Sequence, residues 1–556
     1  MMTMTGGEAC VRVLKGAGVK TVFGLLGGSM LELYDALRAE PDVRYIGARD
    51  ERAAGHMADA YARVTGGPGI VLGAQAGPGV ANLVTAVAEA HLAYSPLVAI
   101  AGAITRKDLG KDTFQEFDQL SLFKSIAKRS IMVPTPERLP EMLAEAMHLA
   151  MSGRRGPVVL HAPRDLFSAE IDPPESATLT WAEPGAPTPE QVERIISLLA
   201  EAERPIVFAG GGFKSTEGSA ALARLAEALG IPVVTSTGHL DVLPADHRWL
   251  AGQTGPRGNG CAATLTRGCD LILALGTRLA FNSTFLNHDY VNKHAKIVHV
   301  DTEASAVGRY FPAALGVQAG ARETAELLAT GAAQLRDRWK SWAAQFDESK
   351  SALIKERLEE ESDTAHPLKP HRVLGEVRRA LPRDALITLD TGNACLQAAD
   401  RVACYQCPAM VTPLDFGLVG FGYAAALGAQ AAVPERPVVS VMGDGGFGFT
   451  LAELTTAVAY DLPVIAVVLD NGAWGAEKAY QRTFFEGRTL GADIESPPYD
   501  KVAELCGATG YAVDAPGGTE AALQDALAEK RPAVIHVKID PDAINALRKD
   551  LFAKPK

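Results

Sequence analysis

Between Pro437 and Lys478 the chain reads PVVSVMGDGGFGFTLAELTTAVAYDLPVIAVVLDNGAWGAEK, and this run leaves few architectures open. An apolar run from Val438 to Met442 stops at Gly443-Asp444-Gly445-Gly446, a helical pattern follows from Leu451 to Tyr460, and a second apolar run from Val464 to Leu469 stops at Asp470-Asn471. That is a strand, a helix and a strand with polar groups at the strands' carboxyl ends, where open parallel sheets bind ligands. Glycines let backbone N–H groups approach phosphate oxygens, and Asp444 with the Asn471 amide oxygen supplies hard ligands for Mg²⁺. Together they describe a diphosphate held through a metal ion. A tight turn whose aspartate merely caps the helix is the alternative.

At 556 residues the chain is too long for one core, and its length suggests about three or four domains. A formal charge of -12 argues against nucleic acid and against an anionic membrane surface as partners, while leaving small anionic substrates open. No apolar run approaches the roughly 20 residues of a membrane span. The start, MMTMTGGEACVRVLKGAGV, lacks the basic, apolar, small-residue order of a signal peptide, so a cytoplasmic protein is expected. The seven cysteines are scattered, and Cys404 and Cys407 form a lone CxxC without the second pair or histidines a zinc site needs, so a structural role is expected.

Along the chain, strand-like apolar runs alternate with helical stretches three times over, predicting an α/β protein of three doubly wound parallel-sheet domains at residues 1–165, 188–335 and 366–545. In the first, the runs Thr21 to Leu25 and Gly69 to Gly73 precede the glycine loops at Gly27-Gly28 and Gly77-Pro78-Gly79. A Pro-rich polar stretch, 166–188, reads as a linker. The central block carries Gly210-Gly211-Gly212 after its first strand, without a full GxGxxG, and a charged connecting helix leads to the third. There, strand Ala385 to Leu389 ends at Asp390-Thr391-Gly392-Asn393.

The span from Gly443 to Asn471 resembles the signature of thiamine-diphosphate enzymes, GDG followed one strand–helix–strand unit later by an asparagine pair, with Asp470 in the place of the first asparagine. The segment ARDERAAGHMADAYAR, Ala48 to Arg63, resembles the HE-x-x-A-x-x-M-A-x-x-Y-A-R helix of the acetolactate synthase and pyruvate decarboxylase superfamily, with Asp50 where histidine is usual. The resemblance covers nearly the whole chain and implies thiamine diphosphate and Mg²⁺ as cofactors. It implies Asp444, Asn471 and the carbonyl of Ala473 as metal ligands. Cofactor contacts are implied at Gly27, Gly28, Gly77 and Asn82 in the first domain, and at Thr391, Gly392, Asn393, Gly443, Gly445, Gly446, Trp474 and Gly475 in the third. Val419 matches the apolar wedge beneath the cofactor. By the same resemblance Glu51 matches the glutamate that bonds the aminopyrimidine ring and lets the cofactor deprotonate itself, a role suited to a buried carboxyl. Gln115, in Phe114-Gln115-Glu116-Phe117-Asp118, matches a glutamine facing the reacting carbon. His56 and His91 read as structural. The central domain binds FAD in some relatives, and an inert scaffold is expected here, with Arg278 the residue that would report a flavin site.

Glu477 stands where pyruvate decarboxylases place a catalytic glutamate, and a surface pair with Lys478 is the plainer reading. The run N-x-x-W-G-A-E-K, the segment Gln115 to Phe123, the D-x-GN at Asp390 to Asn393 and the L-R-K-D at Leu547 to Asp550 resemble the sulfoacetaldehyde acetyltransferase branch, which expels sulfite from an aldehyde and makes acetyl phosphate. Asp470 and the stretch from Ala543 to Leu547 depart from that branch. Arg106, Lys107, Lys111, Arg482 and Arg488 are candidates for an anionic substrate. The expectation is therefore a transferase or lyase acting on a small 2-oxo acid or aldehyde, acetyl-phosphate forming. Acetolactate synthase-like or decarboxylase-carboligase activity stands second, and a noncatalytic nucleotide-binding subunit is a third reading. A homodimer or homotetramer with the site between subunits is implied by the same resemblance.

Overall fold

A computed structural model describes residues 3–174, 179–256 and 258–544. It contains three sheets of six strands each, parallel throughout. Their strands are short apolar runs buried on both faces, such as Leu97–Ala103 and Ile465–Asp470, as helices covering both sides of a parallel sheet require. Counting strands within each domain, the first and third sheets share the order 2-1-3-4-6-5, whereas the central sheet runs 3-2-1-4-5-6, the order of dinucleotide-binding folds. A two-residue strand near the start, Met4–Thr5, pairs antiparallel with Glu170–Ile171 and closes the first domain on itself.

The triglycine of the central domain follows its first strand, Pro205–Ala209, beside the fourth, Leu271–Leu275. A β-carbon at Gly210 would lie 2.4 Å from the Gly276 carbonyl oxygen, and one at Gly212 would lie 2.7 Å from the Gly276 Cα. These glycines let two loops close against each other at the point where a nucleotide would enter. Arg278, two residues on, reaches out of the central domain: it donates to the Tyr94 hydroxyl at 2.8 Å, pairs with Asp415 at 2.9 Å and lies over the Tyr94 ring. It joins all three domains.

The first and third domains meet along two helices, Glu51–Thr65 and Gly422–Ala432. His56 lies fully buried in this seam against the edge of Phe421, with both ring nitrogens unpartnered, and burial pushes its pKa down to about 3, so it is a neutral ring. Nearby, Arg63 donates to Asp59, to Glu89 at 2.9 Å and across the seam to the Thr412 carbonyl at 2.7 Å. Cys404 and Cys407 are buried and unpaired, their sulfurs against backbone carbonyls.

One element differs from its expected form. The helix anticipated over 451–460 begins earlier and is broken: Asp444–Phe449 is helical, Leu451–Glu453 makes a tighter turn, and Leu454–Ala459 resumes the helix. The glycine-rich GDGG is thus the first helical turn itself. The break falls where Glu453 turns to accept the Arg49 backbone N–H of the first domain at 2.9 Å.

Candidate active site

The predicted residues fall into two groups, one at the carboxyl ends of the first sheet and one at those of the third.

In the first group, Glu51 opens helix Glu51–Thr65 behind Asp50, whose carboxylate caps the helix by accepting the Arg52 N–H at 2.7 Å. Asp50 is therefore an N-cap, and the Glu51 side chain is free to face the pocket. Glu51 is buried, and its Oε2 accepts from the exposed Asn82 amide at 3.0 Å. A β-carbon at Gly79 would stand 2.9 Å from Glu51 Oε1, so a larger residue there would push the carboxyl aside. Gln75 ties the remaining members together: its Oε1 accepts the Gly28 N–H at 2.8 Å and its amide donates to Gln115 Oε1. Gln115 adopts φ +70°, an uncommon conformation for a residue with a side chain, packed where a β-carbon on Gly77 would be 2.7 Å from its carbonyl oxygen.

In the third domain, Asp444 is the first residue of its helix. The N-cap is Gly443, so the capping role suggested by the sequence is not the one Asp444 performs. Its Oδ2 accepts from Ser496 at 2.7 Å and its carbonyl accepts the Tyr499 hydroxyl at 2.8 Å. Burial, and next the neighbouring charge of Asp470, pushes the Asp444 carboxyl up to about 6. The Asn471 Oδ1 accepts the Ala473 N–H at 3.3 Å, which fixes its direction. Trp474 lies flat on Gly445, where a β-carbon would come 2.5 Å from the ring, and Gly475 packs against Asn471 and Asn393. Gly392, at φ +111°, and Gly443 each have open space where a β-carbon would point. The fully buried Asp390 accepts N–H groups of Thr391 at 2.6 Å, Gly420 at 3.0 Å and Gly422 at 3.2 Å, which fixes the turn carrying the half-buried Val419. Burial pushes Asp390 up to about 6 despite those donors.

This arrangement fits a metal-bound diphosphate. Asp444, the Asn471 amide and the Ala473 carbonyl all offer oxygen atoms, and only one of them carries a charge, a set that suits a cation that keeps phosphate and water in its shell. Gly443 and Gly392, each with open space where a β-carbon would point, leave room for a diphosphate beside them.

Glu477 lies on helix Gly475–Phe484 and is exposed. It makes no pair with Lys478, which is buried and bonded to Asp493 at 2.6 Å. Of the basic candidates, Arg106 pairs with Asp165, Lys111 with Asp108, Arg482 with Asp542 and Arg488 with Glu486, while Lys107 is exposed. The L-R-K-D stretch lies outside the described residues. Gln75, Asp390, Ser496 and Tyr499 were not singled out as site residues from the sequence. A polar residue ending a buried strand was the available sign for Gln75 and Asp390, and Ser496 and Tyr499 carried none.

Visible ties between the two domains run beside these groups: Arg49 to Glu453, and Arg52 to the Phe449 carbonyl at 3.2 Å, with Phe449 edge-on to Trp474.

Family models and full-length relatives both bear on this chain. Residues 4–122 match the thiamine pyrophosphate enzyme N-terminal TPP binding domain, 192–328 the central domain and 390–537 the C-terminal TPP binding domain. The chain is 33% identical to a probable acetolactate synthase large subunit of Methanocaldococcus jannaschii, over 97% of this chain and 92% of the relative. It is 32% identical to sulfoacetaldehyde acetyltransferase of Castellaniella defragrans, over 99% and 96% of the two chains. It is also 32% identical to acetolactate synthase isozyme 3 large subunit of Escherichia coli, over 96% and 93%. With a sheet-end cradle in each of its two matching outer domains and similarity along its whole length, the chain belongs to the thiamine pyrophosphate enzyme family, in the group that includes the acetolactate synthases.

Proposed function

We propose that the protein is a thiamine-diphosphate- and Mg²⁺-dependent enzyme that transfers an acetyl unit from a small functionalised aldehyde to phosphate, in the manner of sulfoacetaldehyde acetyltransferase. The observation that carries the cofactor reading is the pairing within one chain of a buried Glu51, held by Asn82, with the oxygen set Asp444, Asn471 and Ala473. Two sulfoacetaldehyde acetyltransferases, 32% and 31% identical over 99% of this chain, support the substrate class, as does a carboxylate at position 477.

Thiamine diphosphate, when bound, supplies an acidic carbon that adds to a carbonyl and accepts its bonding electrons. The chain's own residues do the rest. Asp444, Asn471 and the Ala473 carbonyl would hold Mg²⁺, and the Thr391–Asn393 and Gly443–Gly446 turns would hold the diphosphate. Glu51 would exchange a proton with the pyrimidine ring nitrogen. Gln115, fixed by Gln75, orients the substrate carbonyl, and Glu477 moves a proton at the substrate's oxygen. Arg278 is committed to Tyr94 and Asp415, which supports an inert central domain without FAD.

Both half-sites border exposed apolar side chains, with Leu26 60% and Phe114 86% exposed at one and Phe449 49% at the other. A second copy covering them makes a homodimer or homotetramer whose subunits share each site. Acetolactate synthase-like condensation of 2-oxo acids is the second reading, favoured by the acetolactate synthase relatives. Incubating the holoenzyme with sulfoacetaldehyde and phosphate, or with pyruvate, decides between them. Sulfite with acetyl phosphate supports the first reading; carbon dioxide with acetolactate replaces it with the second.

A further inference from the structure

Asp470 ends strand Ile465–Asp470, immediately before the Asn471–Ala473 turn. On the neighbouring strand, Ala533–Lys538, position 536 pairs with 468 and position 538 with 470, so His536 and Lys538 share one face and reach the Asp470 carboxylate together. His536 Nε2 lies 2.6 Å from Asp470 Oδ2, and the Lys538 ammonium donates to the same oxygen. The other oxygen accepts the Gly472 N–H at 2.9 Å. Gly472 itself has φ +64°, so the chain turns sharply at the residue that Asp470 grips. On the far side, His536 Nδ1 stands 3.5 Å from Asp500, and Tyr499, whose hydroxyl holds the Asp444 carbonyl, packs edge-on to the His536 ring.

We infer that Asp470, His536 and Lys538 form a positioning device that holds the Asn471–Ala473 turn in register with Asp444 for cation binding. The inference rests on the cofactor reading above. Asp470 spends its oxygens on donors from the adjacent strand and from the turn, Oδ2 on His536 and Lys538 and Oδ1 on the Gly472 N–H. A neutral amide could not do the same work: it has one oxygen, which the ammonium would claim, and its NH₂ would then face the Gly472 N–H, leaving the turn without its acceptor. Asp470 and its two partners therefore belong together, and the acid at this position is matched by a histidine and a lysine on the adjacent strand.

The test is calorimetric titration of Mg²⁺ into protein saturated with thiamine diphosphate, alongside melting of the protein without either. Asp470→Asn is expected to weaken Mg²⁺ binding by about 10- to 100-fold, as loss of an outer-shell partner does. Lys538 is 59% exposed, so Lys538→Met folds, and it is expected to weaken binding in the same direction. The double variant Asp470→Asn/Lys538→Met is expected to bind Mg²⁺ more tightly than Asp470→Asn alone, because with no ammonium to claim it the amide oxygen can turn to the Gly472 N–H. Wild-type affinity in Asp470→Asn overturns the inference, and so does a double variant no tighter than the single one. A wild-type protein that binds neither cofactor nor Mg²⁺ overturns the cofactor reading itself.

Discussion

Gly428 stands directly against the backbone of Met57: a β-carbon added to Gly428 would lie 1.9 Å from the Met57 carbonyl oxygen. These residues belong to the two helices that join the cofactor-binding domains, and the glycine lets the helix backbones touch. In an exposed helix, Gly→Ala stabilises by roughly 0.5–1 kcal/mol. Here the contact is with backbone, which cannot swing aside, so overpacking dominates. Gly428→Ala is expected to destabilise by about 1–3 kcal/mol, read as a lower melting temperature by circular dichroism. An unchanged or raised melting temperature would show that the helices can separate freely.

Glu51→Gln tests the chemical half of the first cluster. A glutamine keeps the oxygen that accepts from Asn82 and fits the space beside Gly79, so folding and cofactor binding are expected to persist. What it loses is the ability to hold and release a proton. Turnover is expected to fall by about 10²- to 10⁴-fold, with hydrogen exchange at the cofactor's reactive carbon abolished while calorimetric binding is retained. Undiminished exchange would assign that role to another residue.

How far the sequence discloses this site depends on how each residue contributes. Asp444, Asn471 and Glu51 announce themselves because each sits at a fixed offset from a strand end, and the buried strands are uninterrupted apolar runs that mark those ends. Ser496 and Tyr499 reach Asp444 from some 50 residues on, through a loop without periodicity, and nothing local encodes that return. Gln75 is legible only once Gly28 and Gln115 are known to flank it. The early helix start at Asp444 was hidden because glycines read as loop, and the break at Leu451–Glu453 because the tie of Glu453 to Arg49 comes from another domain.

Glu89 gives a pH signature independent of the active site. Arg63 serves two buried carboxylates: Asp59 takes two of its nitrogens, while Glu89 receives one through Oε1 and leaves Oε2 unpartnered. Burial pushes Glu89 up to about 8, only partly offset by Arg63. A carboxyl whose folded pKa exceeds its unfolded value binds a proton on folding. Its contribution is full below about 4.5 and is lost as pH rises toward 8, with a slope of at most about 1.4 kcal/mol per pH unit. Glu89→Gln mimics the protonated acid and is expected to remove this slope, leaving the variant more stable than wild type at pH 8 in denaturant titrations. Parallel profiles would mean Glu89 is ionised throughout.

Glu477 is the residue on which we propose the choice of reaction turns. It is exposed in the single chain and is not paired with Lys478, whose ammonium is buried against Asp493. A surface position of this kind normally tolerates substitution within about 0.5 kcal/mol, so Glu477→Gln is expected to leave stability and cofactor affinity unchanged. If the second copy closes over helix Gly475–Phe484 and carries substrate to it, the same variant slows a proton transfer after addition. The expected result is a lower kcat with little change in KM and a solvent isotope effect larger than that of wild type, because the slowed step then limits turnover. Unchanged kcat would place Glu477 outside the chemistry and move the proton transfer to a group on the opposing subunit.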